Sequence, residues 1–154
     1  MPNDPLNSES ISHITQTFWG TMAATSLSVV ETLPVRTEFQ EGVSGTVEIR
    51  GAWAGSVVLH ASRSLAVSTA CVLLEKETPE ITVEECFDAI QESTNIIAGG
   101  IKRLLPSICK LAIPAMSGCS ALVPKALPPA ALVTLFTSSA GDLCVMVVPE
   151  HVST

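Results

Sequence analysis

A long amphipathic stretch between residues 82 and 105 places the strongest constraint on the fold of this chain. Thr82 begins the stretch and Glu85 follows three residues later, a spacing typical of a capping box at a helix N-terminus. Pro106 predicts that the helix ends at Leu105, because proline disfavours helical geometry in the residue before it. The sequence therefore predicts a long helix that buries its apolar side against another layer of structure.

The two faces of this predicted helix differ in chemistry. On a wheel of about 100° per residue, one face is apolar apart from a threonine and is predicted to face the core. Its members are Val83, Phe87, Ile90, Thr94, Ile97, Ile101 and Leu104. The opposite face holds Glu85, Asp88, Glu92, Asn95, Gly99 and Lys102. Glu92 and Asn95 are three residues apart, so they are predicted to point away from the core with Cβ atoms roughly 5–6 Å from each other.

Two glycines and an isoleucine beside this polar face indicate contact with another surface. Gly99 and Gly100 each cost a helix interior about 1 kcal/mol relative to alanine, so a close approach is needed to explain them. The approaching surface is either another chain or this chain's own sheet and helices, and the second explanation fits Gly100 better. Ile96 projects beside Glu92 and outside the apolar face, where an apolar side chain suits a protein contact.

The remaining segments predict an α+β domain over residues 8–149, between a flexible tail at 1–7 and a short tail at 150–154. Apolar spacing predicts two further helices, at 8–25 and 64–75. Alternating patterns and turn residues predict a strand at 35–39, a hairpin of 47–50 with 56–61, a strand at 110–116, a loop at 117–129, and a hairpin of 131–137 with 142–148. The predicted architecture is a mostly antiparallel sheet with two or three helices packed on one face.

The two predicted hairpins share a spacing that is compatible with an internal duplication. The first contains Val47, Ile49 and Ala54-Gly55, and the second contains Val133, Leu135 and Ala140-Gly141 at the same intervals. The repeat indicates either a duplicated hairpin-plus-helix unit or common strand chemistry in two unrelated hairpins.

Charge and composition narrow the range of partners. The net charge is −7 and the eight basic residues are scattered, which argues against nucleic acid and against anionic membrane surfaces. The same charge favours a partner with a basic rim. Only 15% of residues are charged, so apolar surface remains to be covered and a homodimer is predicted. A polar N-terminus and the shortness of the apolar stretches at 130–136 and 143–148 predict a cytoplasmic protein.

The cysteines and histidines do not form a recognisable metal or disulfide pattern. The sequence has an odd number of cysteines and no Cys-x-x-Cys motif, which favours reduced, buried thiols over disulfides or a zinc site. They are Cys71, Cys86, Cys109, Cys119 and Cys144, and the histidines are His13, His60 and His151. Because the histidines also lack ligand spacing, no metal site is predicted.

The segment from Asp88 to Gly99 resembles the signature helix of the CheC/CheX family of chemotaxis phosphatases. That signature is Glu-x-x-Asn followed by an apolar pair and a glycine, matched here by Glu92, Asn95 and Gly99. The predicted first helix lacks a second Glu-x-x-Asn, so the chain is more similar to CheX than to CheC. Ser93 departs from the pattern, because many members have a bulky apolar residue there.

The resemblance continues beyond this helix. The family's strand with a proline and then a glycine is matched by Pro114 and Gly118. The order of predicted elements is also similar over about residues 8–149, which implies a CheC/CheX-like fold.

The family resemblance implies a phosphatase that acts on the aspartyl phosphate of a CheY-like response regulator. Asn95 would hold the attacking water and Glu92 would pair with a lysine of the partner, while Asp88, Ile96 and Gly99 would contact the partner. The regulator would supply its own Mg²⁺, so no cofactor is expected in this chain, and a similar homodimer is implied.

Three alternatives remain open from the sequence. The domain could bind a response regulator or a flagellar switch component without catalysis. It could be a structural dimer without a regulator partner. The face that carries Glu92 and Asn95 could also be only a solvated helix surface.

Overall fold

Three helices and six strands make up the part of the chain that the structure, a computed structural model, describes: residues 5–33, 41–105, 108–112 and 130–150. In chain order they are α1 (Ser8–Met22), β1 (Ser28–Val30), β2 (Val43–Gly51), β3 (Gly55–Ala61), α2 (Arg63–Leu74), α3 (Val83–Lys102), β4 (Cys109–Ala112), β5 (Leu132–Ser138) and β6 (Gly141–Pro149). A short 3₁₀ turn at Thr78–Glu80 connects α2 to α3. None of the described helices combines the length and apolar content that a bilayer span requires.

The strands form one sheet in the order β1-β5-β6-β3-β2-β4, and every described pair is antiparallel. At the centre, β3 pairs with β6 so that His60 lies opposite Cys144. At one end, β4 pairs with the last residues of β2, and Ala112 lies opposite Glu48. This arrangement confirms the predicted α+β architecture.

The core lies between the sheet and the three helices. Alternate residues of the inner strands face the helices and are buried, among them Val47, Ile49, Val57, Leu59, Leu143, Val145 and Val147. The helices contribute Ile11, Phe18, Trp19, Leu65, Ile90, Ile97 and Ile101. Burying one large apolar side chain contributes about 1.5–3 kcal/mol, so this layer holds the fold together. The Trp19 indole also donates a hydrogen bond to the Thr69 hydroxyl at 3.1 Å, which joins α1 to α2.

The structure confirms both predicted hairpins and all three predicted helices, but it shortens two of the helices. α1 ends at Met22 rather than near Thr25, because Ala24 takes a left-handed conformation (φ 52°) and the Thr25 amide donates to the Trp19 carbonyl at 2.8 Å. At its start, Asn7 caps the helix although the sequence placed this residue in a flexible tail.

α3 ends at Lys102 rather than at Leu105. The amides of Leu104 and Leu105 bond to carbonyls three residues earlier, at 2.9 and 3.1 Å, which tightens the last turn out of α-helical geometry. The structure also contains the short strand β1, which no sequence pattern predicted. The strand predicted at 35–39, the residues of the predicted 110–116 strand after 112, and the loop at 117–129 lie outside the described residues.

The element order supports a duplicated unit, but the residue spacing does not. The runs α1-β1-β2-β3 and α3-β4-β5-β6 have the same element order, and their strands take equivalent places on either side of the sheet centre, with β1 and β4 at the edges and β3 and β6 in the middle. However, Val47 and Ile49 are buried under the helices, whereas Val133 is 41% exposed. The hairpins close differently, with Ile49 opposite Gly55 in one and Ser138 opposite Gly141 in the other. The predicted residue-by-residue match between the hairpins is therefore wrong.

Four of the five cysteines lie among the described residues, and all four are free thiols: Cys71, Cys86, Cys109 and Cys144. Three are buried and Cys71 is half-buried. Burial raises the pKa of the Cys144 thiol to about 11, so this group is protonated at neutral pH.

Candidate functional site

Reciprocal hydrogen bonds fix the N-terminus of α3. The Thr82 hydroxyl accepts from the Glu85 amide at 3.1 Å, and the Glu85 carboxylate accepts from the Thr82 amide at 3.0 Å, which confirms the predicted capping box. The Lys76 ammonium donates to the same carboxylate at 2.7 Å and lowers the pKa of Glu85. This end of the helix is therefore tied to the chain that leaves α2.

α3 is buried along two sides, which is more than its apolar pattern predicted. Ile90, Thr94, Ile97 and Ile101 are completely buried, as predicted. A second buried group consists of Cys86, Ala89, Ser93, Ala98 and Gly100. The helix packs against α1 and α2 as well as the sheet, so small residues are buried there too. Val83 was predicted to be buried, but it is 66% exposed because it lies in the first turn, before the helix enters the core.

The polar face of α3 is open to solvent, as predicted. Asp88 and Glu92 are exposed, Asn95 and Gly99 are half-buried, and Ile96 is 42% exposed. Glu92 makes no hydrogen bond or ion pair with the rest of the described chain. The structure therefore brings these five predicted site residues together on one accessible surface, which we call the α3 polar face.

The two adjacent glycines of α3 have different surroundings. A Cβ atom on Gly100 would lie 3.0 Å from a methyl carbon of Ile14, so close packing against α1 explains this glycine. A Cβ atom on Gly99 would meet nothing within 4 Å. Packing within the described chain therefore does not explain Gly99, and the space beside it is available to another molecule.

Gln91 belongs to the site although no sequence pattern identified it. Its carboxamide bonds to both backbone groups of Thr46 in β2, accepting from the amide at 3.2 Å and donating to the carbonyl at 3.0 Å. Its nitrogen also donates to Oδ1 of Asn95 at 3.2 Å. Asn95 is thus connected to the sheet through Gln91, a link that joins residues 45 positions apart in sequence.

Gly45 allows α3 to come close enough to β2 for this connection. A Cβ atom on Gly45 would collide with the Thr94 hydroxyl and would lie 3.0 Å from the Ile90 carbonyl oxygen. It would also lie 3.2 Å from Cα of Gln91. Any larger residue would push the helix away from the strand, because contacts at these distances are tighter than normal packing.

The α3 polar face combines two chemical capabilities. The exposed carboxylate of Glu92 can pair with a cationic group, and the carboxamide of Asn95 can bond to water or to a substrate oxygen without adding charge. Among the described residues, no group of three His, Cys, Asp or Glu side chains is arranged to hold a metal ion. The face is a helix surface, so it suits contact with another macromolecule.

Comparisons with known proteins agree with the fold. The family model described as "Chemotaxis phosphatase CheX" matches residues 43–122, which include Glu92 and Asn95. The structure of chemotaxis protein CheX from Vibrio vulnificus is 24% identical with a TM-score of 0.73, covering 92% of this chain and 95% of that one. A CheC-like superfamily protein from Shewanella sp. PV-4 is 22% identical with a TM-score of 0.75, covering 98% of this chain and 100% of that one.

A third similar structure comes from Borrelia burgdorferi and is a complex of CheX with CheY, BeF3 and Mg²⁺. It is 18% identical with a TM-score of 0.70, and the match covers 93% of this chain and 97% of that one. At these identities the structural likenesses show a shared fold. No curated protein sequence matches the chain.

Proposed function

The chain belongs to the CheX family of chemotaxis phosphatases, and on that basis we propose that it hydrolyses the aspartyl phosphate of a CheY-like response regulator. The observation that carries the proposal is the α3 polar face, where a carboxylate with no ion-pair partner among the described residues lies beside a carboxamide that is hydrogen-bonded to Gln91. The Borrelia structure, which contains CheX and CheY together, supports a partner of this kind.

Asn95 has the chemistry that hydrolysis of an acyl phosphate needs. The reaction requires a water molecule held in line with the phosphorus–oxygen bond, and most of the catalytic effect comes from positioning. A carboxamide can donate to and accept from water, and it carries no charge that would repel the phosphate. Asn95 therefore orients the attacking water, and no covalent intermediate on this chain is required.

Glu92 sets the position of the partner. Its carboxylate is exposed and has no ion-pair partner in the described chain, so it is available to the lysine beside the regulator's phosphorylated aspartate. Asp88, Ile96 and Gly99 surround this contact and complete the docking surface. The net charge of −7 favours encounter with a basic rim on the regulator.

The partner completes the catalytic site. In this proposal the regulator brings the Mg²⁺ ion as well as the phosphorylated aspartate and its lysine, and the present chain adds Asn95 and Glu92. We further propose that the protein acts in the cytoplasm, where response regulators work, and as a homodimer.

Phosphate release from a phosphorylated receiver domain tests the proposal. The wild-type protein should accelerate this release, and Asn95→Ala should lower the rate at least ~10²-fold, as expected when one preorganised group is lost. Binding of the variant to the same receiver, activated with BeF3, should persist. If the wild type binds the receiver without accelerating release, the chain is a docking module rather than a phosphatase. An Asn95→Ala variant with normal activity would remove Asn95 from the reaction.

A further inference from the structure

The hydrogen bonds around Gln91 have a defined direction. A backbone amide can only donate and a backbone carbonyl can only accept, so the two bonds to Thr46 determine which end of the Gln91 carboxamide is nitrogen. That nitrogen has a second hydrogen, and this hydrogen faces Asn95. The atom of Asn95 that receives it must be an acceptor, so Oδ1 points toward Gln91 and the Nδ2 group points away.

We propose that Gln91 is a positioning residue, which fixes the carboxamide of Asn95 so that its Nδ2 group faces the docked partner. The inference rests on the proposed function, because it assigns a purpose to the orientation of Asn95 in that reaction. The amide and carbonyl of Thr46 in β2 fix the orientation of the Gln91 carboxamide, and Gln91 in turn fixes the orientation of the Asn95 carboxamide on α3. Asn95 consequently meets the regulator in a single orientation and does not alternate between two flipped forms.

The hydrogen bonds to the Thr46 backbone are only part of what Gln91 does. Thr46 lies beyond Glu48, the last β2 residue of the described pairing with β4, and its backbone amide and carbonyl both bond to Gln91. That contact is complete with the two bonds to Thr46. The third bond, to Asn95, adds nothing to the sheet edge but orders a side chain at the surface.

Ordering Asn95 before docking has a direct benefit. A free asparagine at a helix surface samples several rotamers and both amide orientations, and immobilising such a side chain lowers the affinity for a partner. The bond to Gln91 orders Asn95 when the protein folds, so this entropy is already lost before the partner binds. The benefit should appear in the chemical step, where orientation matters, more than in docking, which Glu92 and its neighbours determine.

Two substitutions of Gln91 test its effect on the orientation of Asn95. Gln91→Met keeps the length of the side chain but removes every hydrogen bond. Gln91→Glu keeps an acceptor for the Thr46 amide but cannot donate to the Thr46 carbonyl or to Asn95. Each variant should lower kcat roughly 10-fold, the size that one ordinary hydrogen bond supplies, while KM for the phosphorylated receiver changes by less than about 2-fold. Gln16→Met, which removes a comparable side chain-to-backbone bond from α1, should leave kcat unchanged.

Side-chain amide NMR tests the orientation without any reference to activity. In the wild-type protein both Gln91 Nε2 protons should exchange slowly, because both are hydrogen-bonded, and the Asn95 Nδ2 protons should exchange fast. In Gln91→Glu the new carboxylate accepts from Asn95, so the asparagine amide flips and one of its Nδ2 protons becomes protected. Rapid exchange of the Gln91 protons in the wild type would overturn the inference even if a variant failed to fold.

The two measurements distinguish failure of the inference from failure of the proposed function. If the wild type is active and both Gln91 variants retain its kcat, Gln91 does not position Asn95 for the reaction and the phosphatase assignment stands. If the wild type releases no phosphate, the assignment fails, and the NMR signature still decides whether Gln91 orients Asn95.

Discussion

The first and third helices of this protein occupy equivalent places on the sheet, but their polar side chains make different hydrogen bonds to the rest of the chain. α1 contacts β5 and α3 contacts β2, the equivalent strands of the two halves of the sheet. Both helices contain a buried threonine whose hydroxyl bonds to the carbonyl four residues earlier, Thr15 at 2.8 Å and Thr94 at 2.6 Å. In both, a carboxamide follows directly, Gln16 in α1 and Asn95 in α3.

The match extends to a glycine four residues after each carboxamide. A Cβ atom on Gly20 or on Gly99 would meet nothing within 4 Å. The residues on the N-terminal side of the two carboxamides differ. Four residues before the carboxamide, α1 has Ser12, which bonds within its own helix, while α3 has Gln91, which reaches β2.

The two helices differ most in the hydrogen bonds that the carboxamides of Gln16 and Asn95 make. Gln16 donates to the carbonyl of Leu27 at 3.0 Å and so holds the segment that follows α1. In α3 the bonds to the sheet are made by Gln91, and the Nδ2 group of Asn95 has no partner within the described residues. In α3 a neighbouring residue therefore makes the structural bonds, which leaves the Nδ2 group of Asn95 for the contact with another molecule that we propose.

Placing a lysine three residues before the carboxamide of each helix should give the largest contrast. Glu92→Lys places a cation opposite the regulator's lysine and strands both charges, so kcat/KM should fall by at least ~10²-fold. His13→Lys, three residues before Gln16 in α1, should leave kcat/KM unchanged. Both variants are measured by phosphate release from the same receiver. Retained activity in Glu92→Lys would exclude this carboxylate from the docking surface.

Alanine at the two open glycines gives a smaller and more selective contrast. Gly20→Ala and Gly99→Ala should each stabilise the protein by about 0.5–1 kcal/mol, because the added methyl meets no obstacle and glycine is unfavourable within a helix. Only Gly99→Ala should raise KM, by about 5-fold, equivalent to ~1 kcal/mol of docking free energy. Thermal unfolding and steady-state kinetics on both proteins provide the comparison. Equal KM values would mean that the partner does not approach Gly99.

The smallest contrast should come from low pH, which should destabilise the N-terminus of α3 but not that of α1. The capping box of α1 uses Asn7 and Ser10, which do not titrate, while that of α3 uses Glu85. Lys76 lowers the pKa of Glu85 in the folded protein, so the stabilisation is complete above the unfolded pKa of about 4.3 and is lost as pH falls through the lower folded value.

Hydrogen exchange measured across this acid range provides the test of the two caps. Protection factors of amides in the first turn of α3 should decrease below about pH 4.3, and those of α1 should not. Glu85→Gln preserves the box and should abolish the pH dependence. Equal acid sensitivity of the two helix starts would show that the Lys76–Glu85 contact does not stabilise α3.

Local patterns allowed much of this molecule to be predicted. The cap at Thr82, the placement of Glu92 and Asn95 on the side of α3 opposite its apolar face, and both hairpins follow from periodicity and turn residues over short distances. The family resemblance based on the same helix was confirmed by the match to the CheX model.

The features that were missed depend on contacts that are distant in sequence. In the sequence Gln91 does not differ from other polar helix residues, because its partner Thr46 lies on a strand that no helical pattern reports. β1 has only three residues, too few for an alternating pattern, and it is defined by its pairing with β5. The exposure of Val83 depends on where the helix begins to overlap the sheet, which its sequence periodicity does not contain.

The close approach at Gly45 has a consequence for protein engineering. Grafting residues 82–102 alone onto another scaffold would transfer Glu92 and Asn95 but would leave behind the backbone that orients the asparagine. A transplant would have to include a strand with a residue lacking a side chain at the crossing point, followed by a position whose backbone amide and carbonyl both bond to the Gln91 side chain. The smallest portable form of this surface is thus a helix together with one edge of a sheet.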